Sequence, residues 1–172
     1  MDKKQLGKRI LVLGCAGSGK STLSKKLSQK LDIEVIHLDA HYWKNWQEAN
    51  SEEFAAFVGE IVTRESWIID GNYRKTLPVR LAVADSVIFL DFPTSTCIMS
   101  VIKRTLRNYG KERDDMGEGC RERFNLSFLK WVLTFRRKNR RFITDNLDAF
   151  PEVNKIILKS RKEANEFLEN LL

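Results

Sequence analysis

Cysteine is scarce in this chain of 172 residues, and its three copies, Cys15, Cys97 and Cys120, form an odd number at unrelated spacings. They indicate neither a disulfide framework nor a zinc site. Long apolar runs are missing too. The longest candidate, Phe128 to Phe135, is interrupted by Lys130 and Thr134 and falls well short of the ~20 residues that span a bilayer. No internal repeat and no low-complexity linker divides the chain, so one domain over residues 1–172 is expected. Hydrophobic content of 42% and charged content of 31% are ordinary for a soluble protein. These absences together predict a cytoplasmic protein, monomer or homodimer, with no membrane partner. Acidic residues are in deficit, 23 against 30 Lys and Arg, and the deficit is local. Residues 103–141 hold 13 basic and 5 acidic side chains, whereas the remainder holds 17 and 18. A basic cluster of this kind suits a polyphosphate or a nucleic acid.

What is present centres on Arg9 to Thr22, RILVLGCAGSGKST. Ile10 to Leu13 has the length and branching of a buried strand. Gly14 to Ser21 then matches the phosphate-loop pattern G-x-x-x-x-G-K-[ST] at every fixed position. Leu23, Leu27 and Leu31 follow at helical spacing. Phosphate oxygens need many donors and positive charge, and a side chain at Gly14 or Gly19 would obstruct a backbone curling around them. The N–H groups of the loop and of the helix start, helped by the helix dipole, point at the anion. Gly14, Ala16, Gly17, Ser18, Gly19, Lys20, Ser21 and Thr22 are therefore the expected nucleotide contacts. Lys20 is placed to bridge the β- and γ-phosphates of ATP, and the Ser21 hydroxyl to ligate Mg²⁺.

Further along, strands are expected at Ile33 to Leu38, Trp67 to Ile69, Ser86 to Leu90 and Val153 to Leu158. Helices are expected at Ser51 to Arg64, Leu77 to Ala84, Thr94 to Asn108 and Arg123 to Arg141, with a last one capped by Ser160 and Glu163 and running to the C-terminus. Residues 40–50 and 109–120 are expected as loops, the second polar, with three glycines, and mobile. Strands alternating with helices imply a parallel sheet covered on both faces, with ligands at the carboxyl ends of the strands. Gly14, Asp39, Asp70 and Asp91 each close an expected strand and should line one edge.

Asp91, after Val87 to Leu90, suits the carboxylate that orients Mg²⁺ or its waters, with Asp70 as the alternative. Asp39 is a candidate for receiving the proton of an acceptor hydroxyl, or for touching a Mg²⁺ water. His37 and His41 flank it and are expected to be structural or to line the substrate. In Asp70-Gly71-Asn72-Tyr73-Arg74, Arg74 is a candidate for gripping an acceptor phosphate. Arg104, Arg107, Arg137 and Arg140 in the basic stretch are candidates for stabilising charge during transfer, brought in by a closing lid at about 104–141.

The segments GCAGSGKST, HLDAHYW, WIIDGNYRKT, FLDFP, KRTLR and CRERF together resemble the adenylate-kinase-related family known as DNA topology modulation proteins, the FlaR-like group. The resemblance implies a three-layer α/β/α P-loop fold like that of nucleoside monophosphate kinases, with a five-stranded parallel sheet and a helical lid. It implies ATP- and Mg²⁺-dependent transfer to a small-molecule acceptor, either a nucleotide or a hydroxyl-bearing metabolite. By its family name it also leaves open a nucleic-acid-associated role, and an NTP-gated switch is a third reading. In nucleotide kinases the segment after the third strand contacts the acceptor, which resembles Asp70 to Arg74, and lid arginines resemble Arg104, Arg107, Arg137 and Arg140. Asn72-Tyr73-Arg74 stands where adenylate kinases often carry a proline-arginine, and Asp39 looks more like its counterpart in kinases of hydroxyl-bearing metabolites. Both departures point away from AMP.

Overall fold

Strand β1 (Arg9–Gly14) runs through the middle of the molecule. Its Ile10, Leu11, Val12 and Leu13 are completely buried. A run apolar on every residue suits a strand covered on both faces, and a parallel sheet provides that. A computed structural model describes residues 6–171. Its main sheet has five strands in the order β2 (Val35–His37), β5 (Trp67–Asp70), β1, β6 (Ser86–Leu90), β7 (Asn154–Leu158), all parallel. Helices α1 (Lys20–Leu31), α3 (Ser51–Ile61), α4 (Leu77–Leu81), α5 (Thr94–Asn108), α6 (Leu126–Ala149) and α7 (Arg161–Glu169) connect or follow these strands. The result is the expected three-layer α/β/α arrangement. β1 lies between β5 and β6, so the chain leaves it on one side and returns on the other. The crevice at such a switch point opens above its carboxyl end.

Several element boundaries differ from those read in the sequence. β2 ends at His37, and residues 38–42 form a short helix, α2 (Leu38–Tyr42), so Asp39 sits in a helical turn rather than at a strand end. The expected loop at 40–50 contains an antiparallel hairpin, β3 (Trp43–Lys44) with β4 (Gln47–Glu48). Its turn residues Asn45 and Trp46 have φ of 50° and 61°, as a two-residue hairpin turn of the primed type requires. Asn tolerates that region, but Trp does so only under tertiary constraint, which is why the sequence pattern hides the turn. The cap of α3 is Asn50, whose Oδ1 accepts from the N–H groups of Glu52 and Glu53, so Ser51 is the first helical residue and the helix stops at Ile61. α4 is shorter than expected, five residues preceded by a 3₁₀ turn at Arg74–Thr76. The Ser160 cap of α7 is present, and Glu163 closes it by accepting from the Lys159 N–H. The last turn reaches Glu169, and Leu172 lies outside the described residues.

The long helix α6 starts at Leu126, capped by Asn125, and continues to Ala149. Its apolar stripe resumes past the basic run with buried Ile143 and Leu147. Arg136 to Arg141 are thus in mid-helix, not at a helix end. Between α5 and α6, residues 109–125 form an ordered strap. Gly110 and Lys111 exchange backbone hydrogen bonds with Glu122, and the Glu122 carboxylate accepts from Thr105 at 2.7 Å and pairs with Arg104 and Arg113. The strap is pinned to the β3–β4 hairpin, with Asn45 N–H donating to the Glu118 carbonyl and Trp46 N–H to Cys120 Sγ. At Gly117 a Cβ would lie 1.4 Å from the Trp43 carbonyl oxygen, so only glycine permits this approach. Gly117 and Gly119 permit close packing against the β3–β4 hairpin, while Gly110 supplies a turn with φ of 74°. Among the described residues, no helix is long and apolar enough to cross a membrane.

Candidate active site

The phosphate loop has the conformation that its glycines predict. Gly14, Gly17 and Gly19 have φ of 149°, 79° and 96°. A Cβ on Gly17 would meet the Cys97 carbonyl at 2.3 Å, and one on Gly14 the Leu90 carbonyl at 2.8 Å. Gly19 differs, because the direction its Cβ would take is open. It precedes α1 with no side-chain cap, and no acidic residue lies in the first turn. A helix start of this kind leaves its N–H groups and dipole available to an anion. The Lys20 ammonium folds back over the loop and donates to the Cys15 carbonyl at 3.3 Å. The loop therefore fits a polyphosphate on three counts: bare donors, open space at Gly19, and a cation held above the backbone.

On the β5 side of the loop, the polar residues converge. Asp70 pairs in register with Val12 of β1 and His37 of β2. Its buried Oδ2 lies 2.9 Å from His37 Nδ1, while Asp70 Oδ1 and His37 Nε2 are buried with no partner among the described residues. A buried carboxylate oxygen left free in a native fold calls for a ligand or ordered water. Asn72 grips Gly14 at both ends, its Nδ2 donating to the Gly14 carbonyl at 2.8 Å and its Oδ1 accepting from the Gly14 N–H at 3.1 Å. The Tyr73 hydroxyl donates to Asp39 Oδ1 at 2.5 Å. Burial pushes the Asp39 carboxyl above the usual carboxylate range, against the pull of the Tyr73 hydrogen bond and the Lys20 charge. Burial, with Asp39 beside it, pushes the Tyr73 phenol up as well, so it stays a donor at neutral pH. Around them stand Tyr42, Phe54 and Tyr73 in mutual contact, their ring centres 4.7 to 4.9 Å apart, and His41 against Phe57 at 4.2 Å. Burial lowers the His41 pKa, favouring the neutral ring.

One residue joins the site that sequence reasoning had no means of finding. Asp115, in the strap, lies close enough to the Ser21 hydroxyl for it to help lower the carboxyl's pKa, and its neighbour Asp114 pairs with Lys25 of α1 at 2.5 Å. Burial pushes Asp115 up, but Arg113 at 3.2 Å and the Ser21 hydroxyl outweigh it and hold the carboxyl below its usual range. In the sequence Asp115 is one acid in a charged loop. Only the folded strap carries it over α1.

The β6 side is different. Asp91 follows β6 as expected, but its two oxygens face guanidinium groups of α6: Arg140 Nε at 2.8 Å and Arg136 Nε at 3.6 Å. A carboxylate matched by two cations is poorly disposed to hold Mg²⁺, which argues against the metal role expected of Asp91. It also removes Arg140 from the free substrate ligands. Arg74 donates to the Lys138 carbonyl at 2.7 Å, with its Cζ 4.4 Å from the Phe142 ring centre. Arg104 belongs to the Glu122 network. Arg107 and Arg137 are exposed, with no ion pair among the described residues. Ser21 and Thr22 begin α1 as expected. Sequence and structure thus bring together the phosphate loop, Asp39 and Asp70, and leave the basic candidates on the rim or inside ion pairs.

No protein-family model matches the chain. It is 26% identical over 128 residues, 73% of this chain and 71% of the other, to the uncharacterized protein YqaC of Bacillus subtilis. Among solved structures it resembles shikimate kinase from Bacteroides thetaiotaomicron with a TM-score of 0.58 at 17% identity, covering 94% of both chains. It is similar to shikimate kinase from Acinetobacter baumannii in complex with shikimate, with a TM-score of 0.58, 15% identity, and 97% and 93% of the two chains covered. A gluconokinase from Sinorhizobium meliloti gives 0.55 at 17% identity over 96% and 93%. The chain therefore has the three-layer fold of P-loop small-molecule kinases.

Proposed function

We propose that this protein is an ATP- and Mg²⁺-dependent kinase that phosphorylates a hydroxyl group of a small molecule. The observation that carries the reading is Asp39, a carboxylate raised in pKa, fixed by the Tyr73 hydroxyl and lying within the field of Lys20 beside a phosphate loop. A carboxylate with a raised pKa is, in its ionised form, a better proton acceptor than an ordinary aspartate. Lys20 swings from the Cys15 carbonyl to the phosphates of the nucleotide. Asn72, clamped to Gly14, keeps the loop in register with the acceptor side. Ser21, with Asp70 Oδ1, would hold Mg²⁺ or its waters, and the ion would neutralise charge on the transferring phosphoryl group. The aromatic cluster of Tyr42, Phe54 and Tyr73 supplies an apolar wall for the acceptor.

Structural likeness to kinases of shikimate and gluconate supports a hydroxyl acceptor rather than a nucleotide. Membership in the adenylate-kinase-related DNA topology modulation group rests on the segment resemblance alone. The basic stretch supports a nucleic-acid role less than its charge suggests, because Arg104, Arg113, Arg121, Arg136, Arg140 and Arg141 are already paired with acids of the chain. The test is coupled ADP release with ATP·Mg²⁺ against a panel of hydroxy acids, sugar alcohols, nucleosides and nucleoside monophosphates. Release stimulated by one hydroxyl-bearing acceptor, and lost in Lys20→Ala, is expected. Slow hydrolysis indifferent to the whole panel would sink the reading.

A further inference from the structure

Arg80, on α4, is completely buried. Among the described residues its guanidinium pairs with no carboxylate; it donates only to backbone carbonyls. Nη1 donates to Gly71 at 2.7 Å, Nη2 to Asn72 at 2.7 Å and to Tyr73 at 3.0 Å, and Nε to Thr76 at 3.3 Å. Burial pushes its pKa down to about 9, so it stays charged at neutral pH. If filling space were the whole role, an apolar side chain of similar volume would serve without desolvating a charge. A planar guanidinium does something an apolar group cannot: it draws four carbonyl oxygens of one short segment toward a single point.

That segment supports both halves of the site. Asn72 leaves it to grip Gly14 of the phosphate loop, and Tyr73 leaves it to hold Asp39. Orienting the peptide planes at 71–73 orients the two side chains that leave between them. Displacing reacting groups by even about an ångström can lower a rate on the order of 100-fold. We infer that Arg80 is a positioning residue for phosphoryl transfer. By gathering the carbonyls of residues 71–76 it sets the phosphate loop, through Asn72, in register with the acceptor carboxylate, through Tyr73. The inference rests on the kinase reading for its purpose but not for its test.

The test follows the Asp39 carboxyl by carbon NMR across a pH titration of the free protein, so that neither nucleotide nor acceptor is needed. It uses Arg80→Met, Arg80→Lys, Tyr73→Phe and the double variant Arg80→Met/Tyr73→Phe. Tyr73 donates to Asp39, so losing that bond raises the Asp39 pKa. Arg80→Met should raise it about as far as Tyr73→Phe does, and the double variant should add nothing. Arg80→Lys, which keeps the charge and some donors, should recover part of the wild-type value and remains informative if Arg80→Met fails to fold. Once an acceptor is known, Arg80→Met should lower kcat about 10- to 100-fold while KM for ATP stays within about threefold. An Asp39 titration unchanged in the Arg80 variants, or effects of Arg80→Met and Tyr73→Phe that simply add, would overturn the inference. Failure to find any acceptor would count against the kinase reading alone.

Discussion

Two carboxylates end neighbouring strands on either side of β1, and they have opposite surroundings. Asp70, on the β5 side, keeps one buried oxygen unpartnered among the described residues and shares the other with His37. Asp91, on the β6 side, is closed off by Arg136 and Arg140. Both follow an apolar strand, and by that signature they are equivalent candidates for the metal. The difference comes from what packs above each one. Over β6 lies a long helix with arginines four residues apart, which reach the same carboxylate. Over β5 lies a short turn stitched by Arg80, and among the described residues no arginine or lysine pairs with the Asp70 carboxylate. A free carboxylate suits chemistry, and a doubly paired one suits fastening α6 to the sheet.

The comparison breaks most sharply with Lys20→Ala, which removes the cation serving the β5 side. Turnover should fall at least about 10²- to 10³-fold, with thermal unfolding unchanged, as measured by coupled ADP release and calorimetry. Asp70→Asn and Asp91→Asn then separate the two flanks. Asp70→Asn should reduce turnover about 100-fold with a weakened response to Mg²⁺, read from a metal titration of the rate. Asp91→Asn should mainly loosen α6, lowering stability by roughly 1–2 kcal/mol because its half-exposed arginines keep access to water. If Asp91→Asn abolished the Mg²⁺ dependence and Asp70→Asn did not, the assignment of the two flanks would be reversed.

The strap sharpens the same contrast from outside the sheet. Gly117→Ala forces a Cβ against the Trp43 carbonyl, at a cost of about 1–3 kcal/mol. It should speed amide exchange in the strap and the β3–β4 hairpin while leaving β1 protected. The smallest effect is with acid. The folded pKa values of Asp114 and Asp115 are depressed. Their contribution is therefore present above the unfolded value of about 3.9 and is lost as pH falls through the lower folded values. Exchange in the strap should rise only in that acidic window. Asp39 is shifted the other way, so the acidic limb of the rate profile should lie above the usual aspartate value.

Much of the fold was legible because it is written in local patterns. The alternation of strands and helices, the buried runs at Ile10 to Leu13 and Val87 to Leu90, and the Ser160 cap each depend on residues close together in the chain. The boundaries that moved depended on distant partners. α6 runs on past its basic stretch because Ile143 and Leu147 find the core. The turn at Asn45 and Trp46 is held by the strap, with Arg123 stacked 4.9 Å from the Trp46 ring centre. The site divides the same way. Asp70 was readable as a strand-end acid and Asp39 was picked out by the same rule, although α2 and not the strand carries it; Asp115, Arg80 and the pairing of Asp91 were not readable.

The amino-acid sequence alone determined the glycine cradle, the lysine above it and the parallel sheet that carries them, because backbone sterics and hydrophobic period act over a few residues. Tertiary structure alone decided which strand-end carboxylate stays free, what orders a glycine-rich strap, and where a buried guanidinium gathers its carbonyls. Charges and unsatisfied carbonyls choose partners by proximity in space. The carbonyls that Arg80 gathers lie 4 to 9 positions away, whereas Arg140 comes to Asp91 from 49 positions away and Asp114 to Lys25 from 89.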